Sequence, residues 1–300
     1  MMGNFLMGLK AVSLLSKAGK ALTTSADDVA RYAKACGKRS ILQTKPVTIT
    51  KDTIFAYKPN YDKALCSWEK SLLAEGYSVQ AARSNARQIV NYNMTNFGRP
   101  LESSVFSSSM RRYDSVLLDS PIYDIGEDAT TYVMDITKKA RFVNRAKYNP
   151  FVAEKMQTSP ELYALTEKEK MSKSILDKAF VNVKPNSTTL VEYRGATIPK
   201  NSVDYQNIAK LKKGDIHTES GYTWTSPDAS YVGRYSAMTE SNFGKASINS
   251  HILLPKGSQT LHVDRAKPET LLGYNSQFKV CNIKKEANGD IELFLEYLKA

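Results

Sequence analysis

The spacing of apolar residues along the chain changes from helical to extended at about residue 180. Before that point apolar residues recur every three or four positions, a period typical of amphipathic helices that bury one face. The serine-rich stretch 102–109, which follows Gly98-Arg99-Pro100, predicts a linker or loop. The other predicted elements of this half are a short strand at 47–54 and helices at 25–37, 61–75, 79–92, 127–145 and 160–180.

Beyond residue 180 the chain consists of short β-branched or aromatic runs separated by Gly, Pro, Asn, Asp and Ser, a pattern typical of strands and turns. Gly289-Asp290 stands between the last two runs and predicts a hairpin turn. No regular strand–helix alternation is present, and neither GxGxxG nor GxxxxGKS/T occurs, which excludes Rossmann and P-loop proteins. The predicted strands lie at 188–193, 222–225, 248–254, 261–263, 270–272, 278–283 and 291–297. The predicted fold class is therefore α+β.

The net positive charge of the chain indicates an anionic partner but does not identify it. The 300 residues include 42 Lys and Arg against 30 Asp and Glu, a formal net charge of +12 at pH 7. Such an excess fits an anionic partner, which leaves nucleic acid, a membrane surface and a phosphorylated cofactor open. The basic clusters Lys210-Leu211-Lys212-Lys213 and Arg111-Arg112 lack a nearby aromatic RNA-binding motif or zinc finger, which disfavours nucleic acid.

The first 22 residues place Lys10, Lys17 and Lys20 among helically spaced apolar residues. Lys10 interrupts the apolar run, so the pattern is not that of a cleaved secretory signal, and a poorly ordered or amphipathic arm is the favoured interpretation. An export, targeting or membrane-surface segment is the alternative, and we expect any membrane contact only through this segment. No apolar run of 18 residues is present, so no transmembrane segment is predicted.

The chain has only three histidines and three cysteines, and they are widely separated. They are His217, His251, His262, Cys36, Cys66 and Cys281. No CxxC or HExxH spacing can be formed from them, and three distant cysteines argue against a disulfide framework. We therefore predict no metal site.

Three short motifs in the β-rich half combine charged, hydroxyl and aromatic residues. They are Leu190-Val191-Glu192-Tyr193-Arg194-Gly195, Gly221-Tyr222-Thr223-Trp224-Thr225-Ser226-Pro227 and Lys267-Pro268-Glu269-Thr270-Leu271-Leu272-Gly273. Taken singly, each is typical of a strand end, a packed strand or a surface glutamate. In this order and spacing, over about residues 160–300, they resemble the Arg…Ser-Thr-Ser…Glu signature of the toxin-type mono-ADP-ribosyltransferases.

The resemblance implies a fold, a reaction and a setting. The fold would be a helical N-terminal region at 1–110, for targeting or target recognition, followed at 111–300 by leading helices and a split mixed β-sandwich with NAD between its sheets. The reaction would move ADP-ribose from NAD, as co-substrate and without a metal, to a protein of unknown identity and release nicotinamide. Such a protein would be a secreted toxin or effector that acts in the cytoplasm of a host or competitor cell.

The resemblance also implies site residues whose chemistry suits those roles. The guanidinium of Arg194 is a planar fork of donors that keeps its charge, which suits an anchor for pyrophosphate. The carboxylate of Glu269 can stabilise the oxocarbenium character that develops when the nicotinamide–ribose bond breaks, and Thr225 or Ser226 would orient it. The remaining cofactor-binding residues implied are Gly195, Tyr222, Arg234 and Tyr231, with Tyr235 as the alternative to Tyr231 for stacking on the nicotinamide.

Two positions depart from the signature. Trp224 stands where the first serine of Ser-Thr-Ser orients the catalytic glutamate, so Thr223, Thr225 or Ser226 takes over that role or it is lost. Lys267 stands two residues before Glu269, where arginine-modifying members carry glutamate. Lys267 would contact an anionic acceptor or lie in solvent, and His262 is a second residue expected on the acceptor side.

Two other classes of function compete with an enzyme. One is a catalytically silent module of the same fold that binds NAD or a partner. The other is a basic nucleic-acid-binding protein, whose affinity would fall steeply with salt and which would not use NAD.

Overall fold

The structure is a computed structural model that describes residues 58–106, 126–236, 244–264 and 269–299. The N-terminal segment, the helix expected at 25–37 and the strand expected at 47–54 lie outside these residues, so those predictions stay untested. The chain divides into two compact units. Of the described residues, the first unit contains 58–106 and 229–234, and the second contains the rest.

The first unit contains helices α1 (Lys58–Ala74) and α2 (Val79–Phe97) and a 3₁₀ turn at Ser103–Phe106. Helix α2 begins where the Ser78 hydroxyl accepts a hydrogen bond from the Ala81 amide, and it ends at Gly98, whose φ of 71° suits a left-handed cap. The buried residues that join the helices are Tyr61, Ala64, Leu72, Ala82, Ala86, Val90 and Met94. The predicted helical character of this region is confirmed, and α2 extends beyond the predicted end at 92.

The second unit begins with helices α3 (Gly126–Ala146), α4 (Pro150–Thr158) and α5 (Glu167–Asn182), with a 3₁₀ turn at Pro160–Leu162. The single helix predicted at 160–180 is wrong in its first turns. A capping box in which Thr166 and Glu169 exchange hydrogen bonds starts α5, so the preceding residues form a separate turn. Lys139 of α3 donates to the Glu169 carboxylate at 2.6 Å, which ties α3 to this capping box.

Eight strands and one further helix complete the described part of this unit, and a second helix has residues 229–234 in the first unit and its last two residues in this one. The strands are β1 (Leu190–Pro199), β2 (Ile216–Thr218), β3 (Thr223–Thr225), β4 (Lys245–Leu254), β5 (Leu261–Asp264), β6 (Glu269–Leu272), β7 (Gln277–Lys285) and β8 (Ile291–Lys299). The helices are α6 (Val203–Lys210) and α7 (Ala229–Ser236), the second of which spans the boundary between the units. All seven predicted strands are present, whereas β2, α4, α6 and α7 were not predicted.

The strands form two sheets. The large sheet has the order β1-β4-β8-β7-β2, and the small sheet has the order β3-β6-β5. Strands β4 and β8 are parallel and every other neighbouring pair is antiparallel, so the large sheet is mixed. The predicted α+β class, with helices before a split mixed β-sandwich, is confirmed.

The small sheet packs on both of its faces. Leu272 of β6 belongs to the core of the large sheet, with Ile252, Phe278 and others, whereas Leu271 packs with residues of α3 and α5. Because neighbouring residues of a strand point to opposite faces, Thr270 shares the face of Leu272. The ladder partner of Thr270 is Thr225, so hydroxyl groups from two strands face the large sheet.

Gly221 is expected to tolerate alanine worse than Gly214 does. Both glycines have a positive φ, +81° and +96°, which an alanine adopts at a cost of roughly 1–2 kcal/mol. A Cβ at Gly221 would also lie 2.7 Å from Cα of Thr137, whereas a Cβ at Gly214 meets nothing within 4 Å. We expect Gly221→Ala to lower the free energy of unfolding by about 1–3 kcal/mol more than Gly214→Ala, measured by urea denaturation. Equal losses would show that the contact with α3 relaxes freely.

Candidate functional site

Backbone pairing brings the three motifs together. Outside the named ladders, Tyr193 and Ser226 exchange hydrogen bonds, with N–O distances of 2.7 and 2.9 Å, and so join β1 of the large sheet to the end of β3. Strand β3 pairs with β6 so that Thr225 lies opposite Thr270. Since Ser226 follows Thr225 and Glu269 precedes Thr270, Ser226 and Glu269 extend from the same end of this ladder. Arg194, next to Tyr193 on β1, belongs to the same junction.

Arg194 is held on one side by the small sheet. Its Nη1 donates a hydrogen bond to the backbone oxygen of Trp224 at 3.1 Å, and its side chain is 16% exposed. On the other side its Nη2 lies 3.7 Å from Oε2 of Glu219, which stands just after β2. The guanidinium is therefore largely buried and is oriented by the backbone of the small sheet.

The carboxylate of Glu219 is close to basic side chains from three elements. Besides Arg194 of β1, Nη2 of Arg141 on α3 lies 3.8 Å from Oε2, and Nε2 of His217 on β2 lies 3.2 Å from Oε1. Burial by itself would raise the pKa of Glu219, but the charge of Arg194, the hydrogen bond from His217 and the charge of Arg141 outweigh it and hold the pKa well below its ordinary value. Glu219 is thus a carboxylate, and since a carboxylate only accepts, Nε2 of His217 carries the proton.

Thr225 contacts a carboxylate that sequence reasoning did not select. Its hydroxyl donates to the carboxylate of Glu192, which is only 3% exposed, and also lies 3.3 Å from the backbone oxygen of Thr270. Glu192 precedes Arg194 by two residues and so shares its face of β1. The hydroxyl expected to orient Glu269 is instead bonded to Glu192, and this pair joins β1 to β3 beside the Tyr193–Ser226 bridge.

Three other predicted residues have defined surroundings. The hydroxyl of Ser226 accepts a hydrogen bond from the Asp228 amide at 3.0 Å and so forms part of a turn. Gly195 lies on β1 opposite Asn249 of β4. Tyr222 has no exposed surface, because its ring packs with Phe180 and its hydroxyl donates to Asp177 at 2.9 Å, so its side chain belongs to the core between the small sheet and α5.

The remaining predicted residues stand at the edge of the described part of the chain. Glu269 is the first residue of β6 and is half-buried, opposite Asp264 of β5. The backbone of His262 lies in β5, where the register shifts before Asp264, and the backbones of Tyr231 and Arg234 lie in α7. Lys267 and the side chains of His262, Tyr231 and Arg234 lie outside the described residues, so their roles stay predictions.

Two hydroxyl groups of the small sheet stand out among the described residues. Oγ1 of Thr223 and Oγ1 of Thr270 are buried without a hydrogen-bond partner among these residues.

Within the described residues, no group of three His, Cys, Asp or Glu side chains is arranged to hold a metal ion. No helix among them is long and apolar enough to cross a membrane.

Sequence reasoning missed Arg141, Glu192 and Glu219. Arg141 is one of several basic residues on a predicted helix, and nothing in its spacing distinguishes it from a solvent-facing arginine. Glu192 lies inside the Arg194 motif, where an acidic residue within an apolar strand was a signal of a paired, buried carboxylate. Glu219 precedes the Gly221 motif by two residues, but the short strand that presents it was not predicted.

The chain is similar to solved structures, whereas its sequence matches no family. No protein-family model matches the sequence, and no curated protein matches it. Vis toxin, an ADP-ribosyltransferase from Vibrio splendidus, is 15% identical with a TM-score of 0.42, over 69% of this chain and 91% of that chain. The C3 exoenzyme of Clostridium limosum is 14% identical with a TM-score of 0.42, over 64% and 96% of the two chains.

A third matching structure holds a nucleotide analogue. Exoenzyme S from Pseudomonas aeruginosa, solved with human 14-3-3 protein beta and bound to Carba-NAD, is 14% identical with a TM-score of 0.36, over 61% of this chain and 88% of that chain. The chain is thus similar to solved structures that include ADP-ribosyltransferase toxins, the family that its three motifs resemble.

Acid is expected to destabilise the protein partly through Glu219. Its folded-state pKa is below the ordinary value of 4.5, so the carboxylate stabilises the fold fully above that pH, and this contribution is lost as the pH falls through the folded-state pKa. We expect Glu219→Gln to lower the free energy of unfolding by roughly 1–3 kcal/mol at neutral pH. The difference from the wild type should shrink as the pH falls below 4.5, measured by urea denaturation at a series of pH values. A difference that stays constant with pH would contradict this account.

Proposed function

We propose that the chain is a mono-ADP-ribosyltransferase that transfers ADP-ribose from NAD to a protein and releases nicotinamide. The observation that carries the proposal is the junction of β1, β3 and β6, where a largely buried arginine in the middle of β1 lies next to the Tyr193–Ser226 bridge and a half-buried glutamate begins β6. Residues 111–300 would form the transferase domain with its leading helices. Residues 1–110 would serve targeting or target recognition, in a secreted toxin or effector that acts in the cytoplasm of a host or competitor cell.

Arg194 and Arg141 would bind the pyrophosphate of NAD. Both guanidiniums approach the same carboxylate oxygen of Glu219, at 3.7 and 3.8 Å, so their donors converge on a single anion-sized space. A guanidinium binds phosphate oxygens through two parallel hydrogen bonds, and two guanidiniums match the two charges of a pyrophosphate. Gly195, Tyr231 and Arg234 remain proposed cofactor-binding residues, whereas we assign Tyr222 a packing role that positions β3.

Glu269 would stabilise the transition state of the transfer. The bond between the anomeric carbon of the ribose and the nicotinamide nitrogen breaks, and its electron pair leaves with nicotinamide, which becomes neutral. The positive charge that develops on the ribose is stabilised by the Glu269 carboxylate, as carboxylates do in glycoside hydrolysis. An acceptor atom of the target protein then bonds to the anomeric carbon and loses its proton. Lys267 and His262 are proposed to face that acceptor, and Ser226 to hold the strand end opposite Glu269.

Removing the charge of Glu269 tests the reaction. We expect Glu269→Gln to reduce nicotinamide release from NAD, and labelling of proteins in a lysate by labelled NAD, by at least about 10²-fold, because a preorganised charge at the reacting centre contributes on that order. Glu167→Gln is the matched control, since the Glu167 side chain is 88% exposed. Release by Glu269→Gln at the wild-type rate would show that another residue is catalytic. NAD binding with no release by the wild type would favour the catalytically silent module.

Replacing Arg194 with lysine tests the phosphate anchor. Lysine keeps the positive charge but offers neither the planar fork nor the hydrogen bond to Trp224, so we expect the KM for NAD to rise about 10-fold or more, with a smaller change in kcat. Arg83→Lys, at an exposed ion pair with Glu69 on the first unit, is the control. An unchanged KM would remove Arg194 from the cofactor site.

A further inference from the structure

The carboxylate of Glu219 stands where the two proposed phosphate-binding arginines converge. We propose that Glu219 is an internal counter-ion of this anion site, which an incoming pyrophosphate must displace, and that it lowers the affinity of the site for pyrophosphate. The proposal rests on the proposed function only in assigning that pyrophosphate to NAD. It concerns one residue that is neither the catalytic glutamate nor a phosphate-binding group.

Glu219 is fixed by groups other than the arginines. Nε2 of His217 donates to its Oε1 at 3.2 Å, and its own amide donates to the backbone oxygen of Ser276 at 3.0 Å. The distances to Arg194 and Arg141 are 3.7 and 3.8 Å, which are ion-pair contacts longer than direct hydrogen bonds. The carboxylate is therefore held beside the arginines by the β2 and β7 side of the molecule, without closing on either of them.

Arg194 does not depend on Glu219 for its orientation. Among the described residues it donates a direct hydrogen bond to the backbone oxygen of Trp224 at 3.1 Å, and its Cα is fixed by the β1–β4 ladder. Loss of the Glu219 charge would leave both of these constraints in place. A guanidinium that is oriented by backbone and only neutralised by Glu219 stays available to another anion.

The single negative charge of Glu219 also does not neutralise the two positive charges of Arg194 and Arg141. Two guanidiniums share a single oxygen of Glu219, and the pKa of Arg141 is lowered by burial and by the charge of Arg194, so the two cations repel each other. A pyrophosphate carries more charge and more acceptor oxygens than a carboxylate, so it satisfies the pair better. Pyrophosphate can bind only if Glu219 gives up both ion pairs. The free energy of those ion pairs is lost on binding, so it lowers the affinity for pyrophosphate.

The test is the affinity of Glu219→Gln for inorganic pyrophosphate, measured by titration calorimetry at one fixed salt concentration. We expect the variant to bind pyrophosphate at least about 5-fold more tightly than the wild type, the lower end of the usual range for energetic coupling between two sites. Asp135→Asn, an exposed carboxylate on α3 paired with Lys138, removes the same charge away from the site and should leave the affinity within about 2-fold. If Glu219→Gln does not fold, Glu219→Asp withdraws the carboxylate by one methylene and should tighten binding by a smaller factor.

Four results would overturn the proposal. Weaker pyrophosphate binding by the Glu219 variants would make Glu219 a residue that positions the arginines. Unchanged binding would show that the charge of Glu219 does not oppose the anion. Equal tightening by Asp135→Asn would attribute the effect to net charge. If neither the wild type nor any variant binds pyrophosphate, the proposed anion site does not exist. Nicotinamide release, measured on the same proteins, separates the two proposals: tighter pyrophosphate binding without any release supports the counter-ion and contradicts the transferase.

Discussion

The pair of backbone hydrogen bonds between Tyr193 and Ser226 is the interaction on which the candidate site depends. It joins the large sheet to the small sheet at one point, and the β3–β6 ladder then carries that alignment to Glu269. Because these bonds use backbone atoms, the arrangement follows from the register of two ladders more than from the identity of the side chains. The motifs at Arg194, Ser226 and Glu269 are far apart in sequence and meet because of this register.

Two carboxylates lie at this junction, the buried Glu192 and the partly exposed Glu219, and they act differently. Glu192 accepts the Thr225 hydroxyl and links β1 to β3, which is a structural contact between the sheets. Glu219 faces guanidinium and imidazole groups from three elements, which makes it an electrostatic partner of the site. A largely enclosed carboxylate requires partners, and in the proposed anion site these partners would be the groups that bind the anion. In that proposal, the contribution of Glu219 to folding stability opposes its effect on the affinity for the anion.

Much of the fold could be predicted from the sequence, because regular apolar spacing marked α1, α2 and α3 and short β-branched runs marked seven strands. Strand β2 has three residues, two of them exposed, so no periodicity could reveal it, and Glu219 was missed with it. The three motifs predicted roles for Arg194 and Glu269, and the backbone pairing brings their strands to one junction while those roles stay predictions. The contacts of Thr225 and Tyr222 depend on which face of β3 is buried against which neighbour, and only the assembled sheets define that.

The parallel pairing of β4 with β8 has a consequence for synthesis of the chain on the ribosome. Strand β8 lies between β4 and β7 in the large sheet, although it follows both in sequence. Until residues 291–299 have emerged, β4 has β1 on one side and an open edge on the other, and such an edge can pair with other chains. Contacts of long sequence separation also form slowly. The nascent chain is therefore most exposed to aggregation just before its last described strand is released.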